Sequence, residues 1–210
     1  MKIIEKIAGT YESEIISEMD CIYKKIAEDE EAWQNACKFH CADGCGQCCV
    51  NFEPEIFDSE ALFLAAWLLD NQAETAFALI DGTFSAKPRN SDQECIFFNK
   101  DSPYHCTVYN GRCCICRLFG FSGDRGKDGK KRFKPCRFYP ESQEPMPFSR
   151  RQYTESELTE LFGALPPAMS DIMENVISLT PETPLPRPLR EALPLAIRRI
   201  LFLSQFSHSA

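Results

Sequence analysis

The sequence predicts a mainly α-helical fold with few short strands at most, arranged around a loop-rich core of clustered cysteines. Three observations carry this expectation. Apolar residues recur every three or four positions over long stretches toward both ends of the chain, which is the period of an amphipathic helix. Between those stretches, residues 81–140 lose the period and gain glycine, proline and aromatic residues. Most of the 12 cysteines fall into a tight group just before this region or a looser group inside it.

The elements follow in order. Residues 3–36 read as one helix or two, with Ile4, Ile7, Tyr11, Ile15, Met19, Ile22 and Ile26 on one stripe. The run DSEALFLAAWLLDNQAETAFALI gives the clearest helix. Asp58 or Ser59 can cap it, and Leu62, Ala65, Ala66, Leu69, Ala73, Ala76, Phe77 and Ile80 form its buried face. Short pieces such as CIFF (95–98) and CTVY (106–109) suit small strands. Gly120, Gly123, Gly126 and Gly129 punctuate what reads as a flexible excursion. This stretch fails the phosphate-loop pattern, because Phe121 and Asp128 stand where glycine and Ser/Thr are needed. Residues 141–153 read as a connector. Thr154 and Glu157 form a capping box, and Met169, Ile172, Met173, Val176 and Ile177 mark another helix. Four prolines, from Pro181 to Pro188, precede a last helix ending near Phe206. The organisation expected is a helical segment over 1–36, a cysteine-cluster domain over 37–140 and a helical tail over 141–210.

Composition narrows the chemistry. At 210 residues the chain can bury a core without covalent staples. Its 23 Lys/Arg against 31 Asp/Glu give a net charge of −8, which argues against a nucleic-acid partner. A secretory leader needs an uninterrupted apolar run of roughly 7–15 residues, whereas MKIIEKIAGTYESEIISEMD alternates charged and apolar residues. No run reaches the roughly 18 apolar residues of a membrane span. The expected compartment is the cytoplasm. There, dense cysteine points to metal binding or catalysis rather than to disulfides.

The first cysteine group contains Cys41, Cys45, Cys48 and Cys49; the second contains Cys95, Cys106, Cys116 and Cys136. A short loop presenting several sulfurs, completed by a distant loop, suits a four-thiolate zinc site and an iron–sulfur cluster equally. The fold class becomes mainly α with a loop-rich, cysteine-ligated metal core. Nine Lys/Arg against two Asp between Arg112 and Arg137 reverse the local charge. Arg112, Arg117 and Arg137 can offset a negative centre; a solvated loop and a phosphate- or nucleic-acid-docking patch are the other readings of this stretch. Adjacent side chains diverge, so Cys48 and Cys49 are expected to serve two metals, or one of them to stay outside the ligand shell. His40 and His105 read as neighbours of ligands, and Cys21 as a core thiol. Cys41, Cys45 and Cys48 also have the spacing of radical S-adenosylmethionine enzymes, but Gln47 replaces the usual aromatic and no βα alternation for a barrel is present.

FHCADGCGQCC resembles the head of the YkgJ-like cysteine-cluster proteins, a zinc- or iron-chelating family. The rest of that signature falls on Cys95, on CTVYNGRCCICR from Cys106 to Arg117, and on Cys136, with Tyr109, Arg112 and Arg117 in register. The resemblance covers residues 39–140 and implies metal ligation by Cys41, Cys45, Cys48, Cys49, Cys95, Cys106, Cys116 and Cys136. The cofactor it implies is zinc or iron, the latter including a 4Fe–4S cluster. Cys113 takes the place of a family proline, and Cys37, Cys113 and Cys114 are additional. A flagellin lysine methylase group carries a related cluster, an iron–sulfur centre, so an iron–sulfur redox protein or protein-modifying enzyme is the alternative. The chain has no methyltransferase glycine motif, general base or nucleophile pair from which to build a mechanism, so whether it is an enzyme stays open. A thiol–disulfide relay through Cys48–Cys49 or Cys113–Cys114 is a third reading. A protein partner of unidentified kind is expected.

Overall fold

A computed structural model describes residues 1–37, 45–85, 94–139 and 151–206. The described residues are 55% helical and have only short strands. The expected first stretch is two helices: α1 (Lys2–Lys6) and α2 (Tyr11–Cys37). Because the stripe restarts at the break, Ile7, Ile15, Met19 and Ile26 are buried while Tyr11 turns out to solvent. Its hydroxyl donates to the Leu179 carbonyl, 2.7 Å away. Cys21 is exposed rather than in the core.

The next stretch also divides, into α3 (Asp58–Asn71) and α4 (Ala73–Asp81). The buried face holds at Leu62, Ala65, Ala66 and Ala76, but Phe77 is 46% exposed on the second piece. Neither Asp58 nor Ser59 caps α3. Phe57 precedes its first residue, and its N–H donates to the Glu60 carboxylate at 3.0 Å. Glu60 also accepts from the Cys114 N–H at 2.7 Å. This buried carboxylate therefore joins a helix start to the second cysteine group, and burial pushes its pKa up.

A short α5 (Cys114–Leu118) follows a 3₁₀ turn over Tyr109–Gly111. Strands β2 (Asp124–Arg125) and β3 (Lys131–Phe133) pair antiparallel, and β4 (Tyr153–Thr154) extends the sheet. The glycine-punctuated stretch is thus a pinned hairpin, not a free excursion. Arg125 forms a bidentate pair with Asp171 at 2.7 Å, and Arg132 pairs with Asp128 at 2.7 Å. The capping box at Thr154 and Glu157 starts α6 (Glu155–Phe162), with α7 (Met169–Ser178) and α8 (Leu189–Phe206) after it. Strand β1 (Glu55–Ile56) pairs with β5 (Arg187–Pro188) at the foot of α8. No helix of the described residues is long and apolar enough to cross a membrane.

One core gathers α1–α4, α7 and α8 with Cys95, Cys113 and Cys114 at its edge. A smaller core holds Trp33, Cys37, Phe133, Tyr139, Tyr153 and Leu158. Trp33 meets Phe133 and Phe162 edge-on, with ring centroids 5.3 and 5.4 Å away. The cysteine loops lie where these cores adjoin.

Candidate metal centre

The first cysteine loop turns tightly at residues 47–50, with the Cys49 N–H donating to the Gly46 carbonyl at 2.9 Å. Gly46 has φ +55°, and a Cβ there would stand 2.5 Å from the Cβ of His105. Only glycine tolerates both the left-handed backbone and that approach. His105 itself has φ +54°, and it leads directly into Cys106. The backbone of Cys95 ties in as well, its N–H donating to the Cys49 carbonyl at 3.3 Å. The expected small strands reduce to an antiparallel bridge between Phe98 and Cys106. That bridge sets Cys95 and Cys106 side by side against the first loop.

Seven cysteines line one cavity of about 440 Å³: Cys45, Cys48, Cys49, Cys95, Cys106, Cys113 and Cys116. Six of these belong to the eight sulfurs read from the sequence. Cys41, with His40, lies outside the described residues. Cys136 faces the edge of the group, where Cys45 and Cys48 are its electrostatic neighbours. It is positioned by a turn in which Tyr139 donates its N–H to the Cys136 carbonyl and its hydroxyl to Gly120. Cys37 sits in the smaller core. Cys114 turns away from the cavity, and its thiol donates to Glu60.

The vicinal pair departs from expectation. The Cys48 and Cys49 sulfurs do not diverge but lie 3.7 Å apart, because the tight turn after Gly46 folds the two side chains to the same side. The Cys113 and Cys116 sulfurs are 3.3 Å apart. Four sulfurs at about 2.3 Å from a tetrahedral zinc stand about 3.8 Å from one another, so the Cys48–Cys49 pair has the spacing of a tetrahedron's edge, while the Cys113–Cys116 pair is about half an ångström closer. Among the described residues, no three Cys, His, Asp or Glu side chains converge closely enough to hold an ion as they stand.

Cys49, Cys95, Cys106 and Cys116 are pushed toward the neutral thiol. The hydrogen bond from Cys49 lowers Cys48 to about 7 and leaves the Cys49 thiol raised. The contact with Cys113 raises Cys116, burial lifts Cys95 to about 12, and burial raises Cys106 too. A cation among them would reverse this order, because the ligand form is the thiolate.

The cavity's other wall was only partly legible. Arg112 and Arg117 line it as expected, while Arg137 lies exposed against Phe138. Both inner arginines brace the loop instead of donating to sulfur. Arg112 stacks over Tyr109 and bonds the carbonyls of Tyr109 and Cys116. Arg117 lies over Tyr23 and bonds the carbonyls of Arg112 and Asn110. Two further lining residues, Glu30 and Gln34, come from α2. Glu30 has a buried Oε1 without a hydrogen-bond partner among the described residues, and burial lifts its carboxyl to about 7 against the pull of Arg112 and Arg117. The signal for it was present in the sequence: Glu30 falls in step with Tyr23, Ile26 and Trp33 on the buried stripe of α2.

Residues 40–154, more than half of the chain, match the CxxCxxCC family, described as "Putative zinc- or iron-chelating domain". The chain belongs to this family. The matched span runs from the first cysteine loop through β4, so the CxxCxxCC domain includes all seven cavity cysteines. The α2 wall of the cavity, with Glu30 and Gln34, lies outside it. No curated protein and no solved structure matches the chain significantly.

Proposed function

We propose that the protein is a cytoplasmic metal-binding protein, holding zinc or iron through Cys41, Cys45, Cys48, Cys49, Cys95, Cys106, Cys116 and Cys136. The observation that carries this reading is the gathering of six of those cysteines, drawn from three separated segments, around one cavity. The donor set fits the group. None of the described cysteines is in a disulfide, the Cys48–Cys49 pair already has near-tetrahedral spacing, and the CxxCxxCC family is described as zinc- or iron-chelating. Loading requires the remaining sulfurs to rotate inward and lose their protons. Residues 37–140 would form the metal-binding unit, with flanking helices completing its walls.

An iron–sulfur protein that passes electrons or supports a modification reaction is the second reading. The surplus of sulfur motivates it, seven cysteines lining one cavity where a single tetrahedral ion takes four. The chain's own contribution would be the same in both cases: to hold thiolates, to neutralise them with Arg112 and Arg117, and to limit access of water. Zinc in such a site supplies folding energy, while an iron–sulfur cluster supplies an electron carrier.

Purification without oxygen, followed by measurement of metal, acid-labile sulfide and the visible spectrum, tests these readings. A colourless protein with stoichiometric zinc supports a structural centre; a brown one with iron and sulfide supports the cluster. Metal-free, folded protein that takes up neither metal on reconstitution refutes both. Cys45→Ser and Cys116→Ser should each lower metal content, and full retention in either variant removes that residue from the site.

A further inference from the structure

We infer that Cys113 is a metal ligand, closing with Cys49, Cys95 and Cys116 a four-sulfur set on the inner side of the cavity. The inference rests on the metal-binding reading above and adds to it a ligand beyond the eight-cysteine pattern. Cys113 lines the cavity and is 2% exposed. Its sulfur lies 3.3 Å from that of Cys116. The sulfurs acting electrostatically on Cys116 are those of Cys113, Cys95 and Cys49. Cys136, in contrast, senses Cys45 and Cys48. The sulfurs therefore form two overlapping neighbourhoods, joined by Cys106, which faces both Cys113 and Cys48, and by the 3.7 Å approach of Cys48 to Cys49.

Cys113 and Cys116 form a C-x-x-C arm, a spacing that lets one short loop grip a metal with two sulfurs. Cys114 is excluded, because its thiol is committed to Glu60 and it is not among the residues lining the cavity. The backbone at Cys113 also supplies a clean test. Its φ of −73° suits proline, and Arg112 before it has ψ 145°, the conformation that a following proline requires. Cys113→Pro should thus keep the chain path and remove only the sulfur.

The experiment titrates cobalt(II), as a thiolate-sensitive stand-in, into metal-stripped wild type, Cys113→Pro, Cys113→Ser and Cys114→Ser. Native metal content is measured in parallel. Wild type and Cys114→Ser should give the same spectrum and stoichiometry. Both Cys113 variants should lose one thiolate's share of the sulfur-to-cobalt absorption. Their affinity should fall by more than the roughly 10–100-fold typical for losing an outer-shell partner. Wild-type spectra and affinity in both Cys113 variants overturn the inference and leave the general reading intact, whereas failure of wild type to bind any metal overturns the general reading. Should neither Cys113 variant fold, alkylation of wild type decides. Cys113 modified only after metal removal supports ligation; equal modification with and without metal, or a Cys113–Cys116 disulfide in the metal-loaded protein, refutes it.

Discussion

Replacing Gly46 by alanine tests how the two cysteine groups are locked together. The new methyl group would sit 2.5 Å from the His105 Cβ, at a backbone φ of +55°. A left-handed non-glycine residue costs about 1–2 kcal/mol, and overpacking of this kind costs about 1–3 kcal/mol. The two effects add to roughly 2–5 kcal/mol. In a chain of this length 1 kcal/mol moves the melting temperature by about 2–4 °C, so melting should fall by roughly 4–20 °C. Metal uptake should weaken with it, because His105 leads into Cys106. His105→Gly removes the colliding atom and relieves a second positive φ of +54°, but it loses an edge-on contact with Phe98. The double variant should therefore recover the overpacking part, about 1–3 kcal/mol, and not the backbone part of Gly46→Ala. Chemical denaturation of the four proteins, metal-free and metal-loaded, gives the coupling energy. A Gly46→Ala protein within about 0.5 kcal/mol of wild type, or a double variant with no recovery, would refute this account of the clasp.

Other outcomes follow from the same geometry. Glu30 is held near 7, above its ordinary 4.5, so the folded state binds its proton more tightly and wild-type stability should fall as pH rises between those values. Glu30→Gln should abolish that fall and gain up to about 3 kcal/mol over wild type above pH 7; parallel stability–pH curves would count against it. Glu60→Ala orphans the N–H groups of Phe57 and Cys114 and should cost about 2–6 kcal/mol, with Glu60→Gln milder, as read by denaturant unfolding. Trp33→Ala empties the centre of the smaller core and should cost about 3–5 kcal/mol; a loss under about 1 kcal/mol would show that this core contributes little.

Much of the site was legible because ligand spacing is a local property. Cys45, Cys48 and Cys49 must share a turn whatever surrounds them, and Cys95 and Cys106 are close enough in sequence for a short pairing to join them. Helical periodicity placed Leu62, Ala65 and Ala66 inside for the same reason. What was missed depends on contacts between distant segments. Cys21 is the exception: Ser17, Glu18, Lys24 and Lys25, its neighbours on the helix surface, already mark its side of α2 as solvated. The hairpin of β2 and β3 was obscured because strands of two or three residues leave no alternating pattern, and its hold on Asp171 comes from α7. Glu30 keeps step with the buried stripe of α2, but what it faces is set only when α2 is laid against Arg112 and Arg117. The near approach of the Cys48 and Cys49 sulfurs accompanies a left-handed backbone at Gly46, where His105 occupies the space a side chain would need.

The pairing of β1 with β5 has a consequence for the timing of synthesis. Leu189, whose N–H donates to the Pro54 carbonyl at 3.0 Å, also closes one side of the cysteine cavity. The cavity is therefore incomplete until the start of α8 has left the ribosome, and the full helix ends 90 residues after Cys116. Leu189 follows Cys116 by 73 residues, so at about 5–20 residues per second roughly 4–15 s pass in which the thiols are made but not yet enclosed. Over that interval the nascent chain competes with oxidants and stray metal ions, and a supply of the correct metal during translation would decide which fate each chain meets.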